Sequence, residues 1–282
     1  MSNLLEINNL RKSYGDKVVL DDVSFNVPPG AIVGFIGNNG AGKSTTFKAV
    51  LELIHKESGT VKLFGKENLN KEVELKEKIG VVFDAINLPS NLTIKQLGKV
   101  FVKVFDSWDQ NEFDRLVDIF SLPRNKKVGS FSRGMSMKIS IAVALSHKAQ
   151  LLILDEATGG LDPSSREVVL DELANFVNEG SHGIVLSSHI MSDIERIASH
   201  LVFISEGKIT LNAEKNKVFE KYAFVDLDNE QLTQLNKDIV VARRRHGATV
   251  TALVTDRQKL PNEVAARTVS MEEISVFLTG SE

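Results

Sequence analysis

The chain has 282 residues, a net charge of −3, and 42% hydrophobic and 25% charged residues, which fits a globular protein of one large domain and a smaller one, or of two modest domains. No basic surplus points to nucleic acid, so none is expected as a partner, and the absence of cysteine excludes disulfides and thiolate metal sites. No signal peptide is expected from residues 1–9, and no apolar run approaches the ~20 residues a membrane-spanning helix needs, so any membrane role must run through a partner chain.

In chain order, Leu4 to Leu10 and Val18 to Phe25 read as strands around a turn at Tyr14 to Lys17. Pro28-Pro29-Gly30 turns the chain into a short apolar strand, Ala31 to Ile36. Directly after it, Gly37-Asn38-Asn39-Gly40-Ala41-Gly42-Lys43-Ser44-Thr45 matches the phosphate-loop pattern G-x-x-x-x-G-K-[ST] at every fixed position. Phe47, Val50, Leu51 and Ile54 then recur at helical spacing, which gives the strand–turn–helix context the pattern requires. The glycines let backbone N–H groups approach a phosphate chain, and the helix start adds unpaired N–H groups and a positive dipole end. Lys43 should reach the β- and γ-phosphates, and the Ser44 hydroxyl should face Mg²⁺.

Gly59 to Phe64 and Ile79 to Phe83 read as further strands, and the Lys/Glu-rich run between them, Lys66 to Lys78, is expected to be a solvated helix. Asp84 to Asn91 is a loop. From Thr93 to Leu122 the pattern turns helical. One face is Ile94, Leu97, Val100, Phe101, Val104 and Phe105, and the other is Phe113, Leu116, Val117 and Phe120. This insert interrupts an α/β alternation and is expected to form a helical subdomain at about 84–150. Phe131-Ser132-Arg133-Gly134-Met135 opens a helix carrying Ile139, Ala142, Val143 and Leu145.

Leu151 to Leu154 is a continuous apolar strand that ends in Asp155-Glu156. A strand ending in acids is what a Mg-nucleotide site needs opposite its phosphate loop. Asp155 can hold Mg²⁺, and Glu156 can act as general base on a water behind the γ-phosphate. If Glu156 continues the strand, its side chain must point away from that of Asp155. Gly159 to Pro163 is a loop, with Ser164 expected to cap the helix through Phe176. Gly183 to Leu186 is a strand leading to Ser187-Ser188-His189, and Leu201 to Ser205 with Lys208 to Leu211 forms a terminal hairpin.

After Asn212 the character changes. Glu214 to Lys221 and Met271 to Leu278 read as helices, and Ala223 to Leu227, Ile239 to Ala242 and Thr249 to Val254 as strands. Arg243-Arg244-Arg245 reads as a solvated edge.

Taken in order from Leu4 to Leu211, these motifs resemble the ATP-binding cassette (ABC) ATPases, with the overall pattern closest to the ATPase subunits of bacterial antibiotic and peptide exporters. The resemblance implies an α/β fold: a P-loop ATPase core with an antiparallel β subdomain, a helical insert and a small C-terminal α/β extension. It implies residues 1–212 as the ATPase domain and 213–282 as an accessory unit. It assigns Tyr14 to adenine stacking, and it assigns Ser132 and Gly134 to the γ-phosphate of an ATP held by a second ATPase subunit, identical or related. Asp162 falls at the dimer seam, and His189 on the γ-phosphate, steadying Glu156 and the attacking water. It implies ATP and Mg²⁺ as ligands and a transmembrane permease as partner, with the chain cytoplasmic on the inner face of the membrane. The insert and the loop from Asp84 to Asn91 would form the cleft for that permease. The sequence departs from the family at Phe131, Arg133 and Met135 of the signature, at Ala157 in place of Pro, and at Asp84 in place of Gln. At Asp84 the carboxylate still offers a hard oxygen to Mg²⁺. Two alternatives differ in class. A ribosome- or DNA-associated ABC protein is disfavoured by the single cassette and by the lack of sustained heptads. A regulatory ATP-binding module without turnover is disfavoured by intact Lys43, Asp155, Glu156 and His189.

Overall fold

The computed structural model of the chain describes every residue except 1, 68, 70, 71, 85–87, 179, 248, 262 and 280–282, and only the backbone of 229 and 246. The chain opens with a long antiparallel hairpin, β1 (Leu5–Tyr14) and β2 (Lys17–Val27), then enters β3 (Ile32–Ile36), in which every residue is buried. Burial on both faces explains why β3 is uniformly apolar rather than alternating. The helix α1 (Lys43–Val50) starts at the last fixed positions of the phosphate loop. It ends before Ile54, because Glu52 at φ 53 turns the chain out of the helix. β4 (Ser58–Leu63) returns to pair with β1.

Within the polar run 66–78 only α2 (Val73–Glu77) is helical among the described residues, shorter than the sequence suggests. Lys66 is taken up in a bridge with Leu63, and Leu69 is buried. β5 (Ile79–Val82) leads to the loop from Asp84, of which 85–87 lie outside the described residues, so the expected permease cleft is described only in part. In the insert, α3 (Ile94–Val104) begins with a capping box between Thr93 and Gln96, and α4 (Gln110–Ile119) is capped by Asp109. The α4 face is buried as expected: Phe113, Leu116, Val117 and Phe120. On α3, Ile94 and Leu97 are buried, but Val100 and Val104 stay on the surface. The bend after Val104 brings Phe105 and Trp108 back against Phe101, so the aromatic rings take the packing that the valines were expected to share.

α5 (Arg133–Leu145) feeds β6 (Leu151–Asp155), α6 (Pro163–Val177), β7 (Gly183–Ser187) and α7 (Met191–Ile197), and then the hairpin β8 (His200–Ser205) and β9 (Lys208–Glu214). Asp162, not Ser164, caps α6 by accepting from the Ser165 N–H at 3.0 Å. Pro163 has its φ fixed for the first helical position, which sets the cap one residue earlier. After β9 come α8 (Lys215–Lys221), β10 (Ala223–Leu227), α9 (Asn229–Gln234), β11 (Val240–His246), β12 (Thr249–Val254), β13 (Ala266–Arg267) and α10 (Met271–Thr279). Arg243, Arg244 and Arg245 lie on β11, an edge strand; Arg243 and Arg245 are exposed as the charge run suggests, whereas Arg244 is half-buried, with its guanidinium 5.3 Å from the centre of the Phe277 ring.

The strands form three sheets among the described residues. The central one has six strands in the order β5-β6-β7-β3-β8-β9, parallel except for β9. A three-stranded antiparallel sheet, β2-β1-β4, packs on one face through Phe25, Phe35 and Phe47. The opposite face is covered by α5, α6 and α7. A four-stranded antiparallel sheet, β11-β12-β10-β13, follows, and α10 lies between it and the central sheet. Met271, Ile274 and Leu278 of α10 are buried in one core with Ile36, Phe203 and Ile194. The order places the carboxyl ends of β3, β6 and β7 side by side, where open parallel sheets bind ligands.

Candidate nucleotide site

The phosphate loop departs from β3 and closes onto α1. Gly42, at φ 116, leaves no room for a side chain, since a Cβ there would lie 2.7 Å from Leu20 Cδ2. A Cβ at Gly37 would lie 2.5 Å from the Ile204 carbonyl oxygen. These two positions therefore require glycine. Lys43 is only 6% exposed, and its ammonium donates to the carbonyls of Gly37 at 2.6 Å and Asn38 at 3.3 Å. The loop thus curls around its own lysine. A phosphate chain offers that ammonium a better, charged acceptor than two carbonyls.

A cavity of about 580 Å³ lies over this loop. Asn38, Asn39, Gly40, Gly42, Lys43, Ser44 and Thr45 line its floor, Tyr14 and Lys17 one end, and Asp84, Asp155 and Glu156 the other. Tyr14 is 52% exposed, a ring free for stacking with Lys12 Nζ 5.1 Å from its centre. Gly37 and Ala41 are buried beneath the floor rather than lining it.

The acidic end differs from the expected strand geometry. β6 stops at Asp155, and Glu156 is left-handed at φ 53. That turn brings Glu156 round to the same cavity as Asp155 instead of the opposite face. A non-glycine residue there carries a backbone cost of roughly 1–2 kcal/mol. The turn is held by Ser187. Its hydroxyl donates to Asp155 Oδ1 at 2.7 Å and accepts from the Glu156 N–H at 3.0 Å. Ser187 is fully buried and pairs with Asp155 across β6 and β7. It is a site residue that the sequence alone did not single out. The only available signal is its place at the end of an apolar strand, three positions after Ile184.

Glu156 lies between two nitrogen groups. Its Oε2 is 2.6 Å from His189 Nδ1, and its Oε1 is 3.5 Å from Lys43 Nζ with no hydrogen-bond partner although buried. A buried, unpartnered carboxylate oxygen facing the phosphate loop suits a hydrogen-bonding ligand such as water. The exposed Ser44 hydroxyl and the buried Asp155 carboxylate, both facing the cavity, are hard oxygen donors of the kind Mg²⁺ takes. Among the described residues no cluster of three or more His, Asp or Glu would hold a metal alone.

Three expected residues stand apart from the cavity. Ser132 caps α5, accepting from the Met135 N–H at 3.2 Å, and Gly134 packs on the following turn, where a Cβ would lie 2.9 Å from the Gly160 oxygen. Asp162 caps α6, and hydrogen bonds from Ser165 hold its carboxyl below the usual range. None of the three lines the chain's own cavity. Asp84 does line it, with its carboxylate paired to Arg133.

The ABC transporter family profile matches residues 20–159, from the phosphate loop's approach through the acidic strand end. A bacitracin transport ATP-binding protein of Bacillus licheniformis is 36% identical over 211 residues, which is 74% of this chain and 69% of that protein. A lantibiotic transport ATP-binding protein of Streptococcus pyogenes is 36% identical over 213 residues, 75% of this chain and 91% of that protein. This chain belongs to the ABC transporter ATP-binding family. It binds ATP and hydrolyses it. The Nod factor export ATP-binding protein I of Burkholderia lata aligns over 99% of this chain and 97% of its own length at 30% identity, so the similarity extends past β9. A solved ATP-binding subunit of an ABC transporter superposes with a TM-score of 0.70 at 28% identity, covering 76% of this chain and 91% of that one. No helix of the described residues is long and apolar enough to cross a membrane.

Proposed function

We propose that this chain is the ATPase subunit of an exporter of antibiotic- or peptide-like cargo, working as a pair of ATPase subunits on the cytoplasmic face of a transmembrane permease. The cargo class rests on the relatives, whose names attach them to bacitracin and lantibiotic transport and to Nod factor export. One observation carries the chemistry: Glu156 is held between Lys43 and His189 over the phosphate loop.

In this reading Tyr14 stacks on the adenine. The loop N–H groups from Asn38 to Thr45 and the Lys43 ammonium take the phosphates. Lys43 leaves the Gly37 and Asn38 carbonyls to do so, which also frees Glu156 from its ion pair. Ser44 and Asp155 would hold Mg²⁺, which would supply positive charge against the phosphates. Glu156, steadied by His189, accepts the proton of the attacking water as the bond from the γ-phosphorus to the bridging oxygen breaks and ADP leaves. Ser132 and Gly134 do not line the chain's own cavity, which supports a role at the γ-phosphate of a second subunit, with Asp162 at the seam. A hydroxyl and N–H groups at a helix start favour an anion. Residues 1–212 are taken as the ATPase domain, with 84–150 its helical part, and 213–282 as an accessory unit.

The test is Lys43→Ala in the purified full chain. MgATP binding and turnover should be crippled with the melting temperature unchanged, and wild-type turnover would sink the site assignment. Mild detergent extraction should recover the chain with a permease, and recovery with ribosomes instead would reject the transport reading.

A further inference from the structure

The acidic end of the cavity raises a charge problem. Asp84, Asp155 and Glu156 all line it, and the nearby cation Lys43 already faces Glu156 at 3.5 Å. Asp155 has a hydroxyl partner, and in the reading above it has a metal as well. Asp84 has neither. An unneutralised carboxylate beside the γ-phosphate position would repel a ligand that is itself multiply negative.

Arg133 meets that charge. It opens α5, 49 residues from Asp84 in sequence, and its guanidinium is paired with the Asp84 carboxylate. Its stem is laid along the turn before α6, where a Cβ on Gly160 would lie 3.1 Å from Arg133 Cδ. The side chain is 60% exposed, yet both its head and its stem are placed. An exposed ion pair of this kind adds little to fold stability. Its consequence lies in the field inside the cavity, where one unit of charge beside a triphosphate is felt across several ångströms.

We propose that Arg133 is a positioning residue for ATP that acts through Asp84: its guanidinium holds and neutralises that carboxylate, so that an acid is tolerated at the γ-phosphate end of the cavity. This rests on the cavity being the ATP site. In this account Asp84 serves Arg133 and is not a resident metal ligand. Because Arg133 stands between Ser132 and Gly134, the same pair ties the start of α5 to the nucleotide cavity of its own chain.

The experiment is a double-mutant cycle on the full chain, reading the Kd of a non-hydrolysable ATP analogue with Mg²⁺ at low and high ionic strength. Arg133→Met should weaken binding about three- to tenfold at low salt, with a smaller loss at high salt. Asp84→Asn, which leaves the guanidinium without its acid, should bind as tightly as wild type or more tightly, and the double variant, in which acid and cation are both gone, should return to within about twofold of wild type. Arg133→Lys should retain most of the affinity because it keeps the charge. A double variant as weak as Arg133→Met would overturn the proposal, as would no loss in Arg133→Met itself. A loss in Asp84→Asn that appears only with Mg²⁺ would assign Asp84 to the metal and overturn it too. Lys43→Ala run alongside separates the two readings. Undiminished binding there rejects the cavity as the ATP site, whereas a crippled Lys43→Ala with a flat cycle rejects only the role of Arg133.

Discussion

The central sheet and the sheet after β9 use the same raw material to different ends. In the central sheet β3, β6 and β7 run parallel, so their carboxyl ends meet at one edge and deliver the phosphate loop and Asp155 to one cavity, with Ser187 buried behind Asp155. In the C-terminal sheet every neighbour runs antiparallel, so successive strand ends alternate between edges and no such gathering follows. That sheet spends both faces on packing instead. Phe224 and Leu253 join the core with α10, while Val225, Ala252 and Val254 pack on the other side with Leu235 and Ile239. Strand direction, more than composition, decides which sheet can host chemistry. The two regions also meet where the Asn38 amide of the phosphate loop donates to the Thr279 carbonyl at the end of α10.

If the C-terminal sheet is joined to the ATPase core by α10 rather than loosely tethered, Ile274→Ala should cost about 2–5 kcal/mol and lower a single cooperative melting transition. Two separate transitions, with only one shifted, would break the comparison. A smaller effect is expected at the strand ends. Ser187→Ala removes the buried hydroxyl bridging Asp155 and the Glu156 N–H. It should cost about 1–3 kcal/mol in stability and also lower ATP turnover, by about tenfold. Loss of stability with unchanged turnover would make Ser187 structural only.

The contact between the regions predicts less again. Asn38→Ala should reduce amide-exchange protection in the last turn of α10, equivalent to about 0.5–1.5 kcal/mol, with ATP affinity changed by no more than about threefold. Unchanged protection would mean that the regions are joined by apolar packing alone. The smallest effect is electrostatic. Asp193 on α7 is buried, and burial pushes its carboxyl up, against the pull of Thr158 and Arg166. A raised acid stabilises the fold fully below the ordinary carboxylate range, and this contribution is lost as pH rises through the raised value. Asp193→Asn should therefore gain stability relative to wild type at neutral pH and lose that advantage in acid, as followed by melting temperature against pH. An advantage that persists unchanged in acid would contradict it.

Much of the site was legible because its residues are contiguous or fixed by spacing. The phosphate loop, the acids closing an apolar strand and His189 after Ser187-Ser188 needed no long-range information. What escaped depends on contacts between distant segments. Glu156 was expected to point away from Asp155 because strand alternation was extended one residue too far, and only the left-handed turn held by Ser187 turns it back. Ser187 matters through its register with Asp155, 32 positions away. Asp84 and Arg133 each stood out as departures from the family pattern, but their pairing is a tertiary fact. On α10 the spacing of Met271, Ile274 and Leu278 showed a helix face, while its partner, the core around Phe203, lies far earlier in the chain.

The central claim is that Glu156, poised between Lys43 and His189, activates the water that cleaves ATP. Glu156→Gln preserves size and removes the base, so it tests this most directly in a single-turnover assay on the purified chain with MgATP. Turnover should fall by about 10²–10⁴-fold while ATP stays bound unhydrolysed. Turnover at the wild-type rate, or loss of ATP binding with the fold intact, would contradict the account.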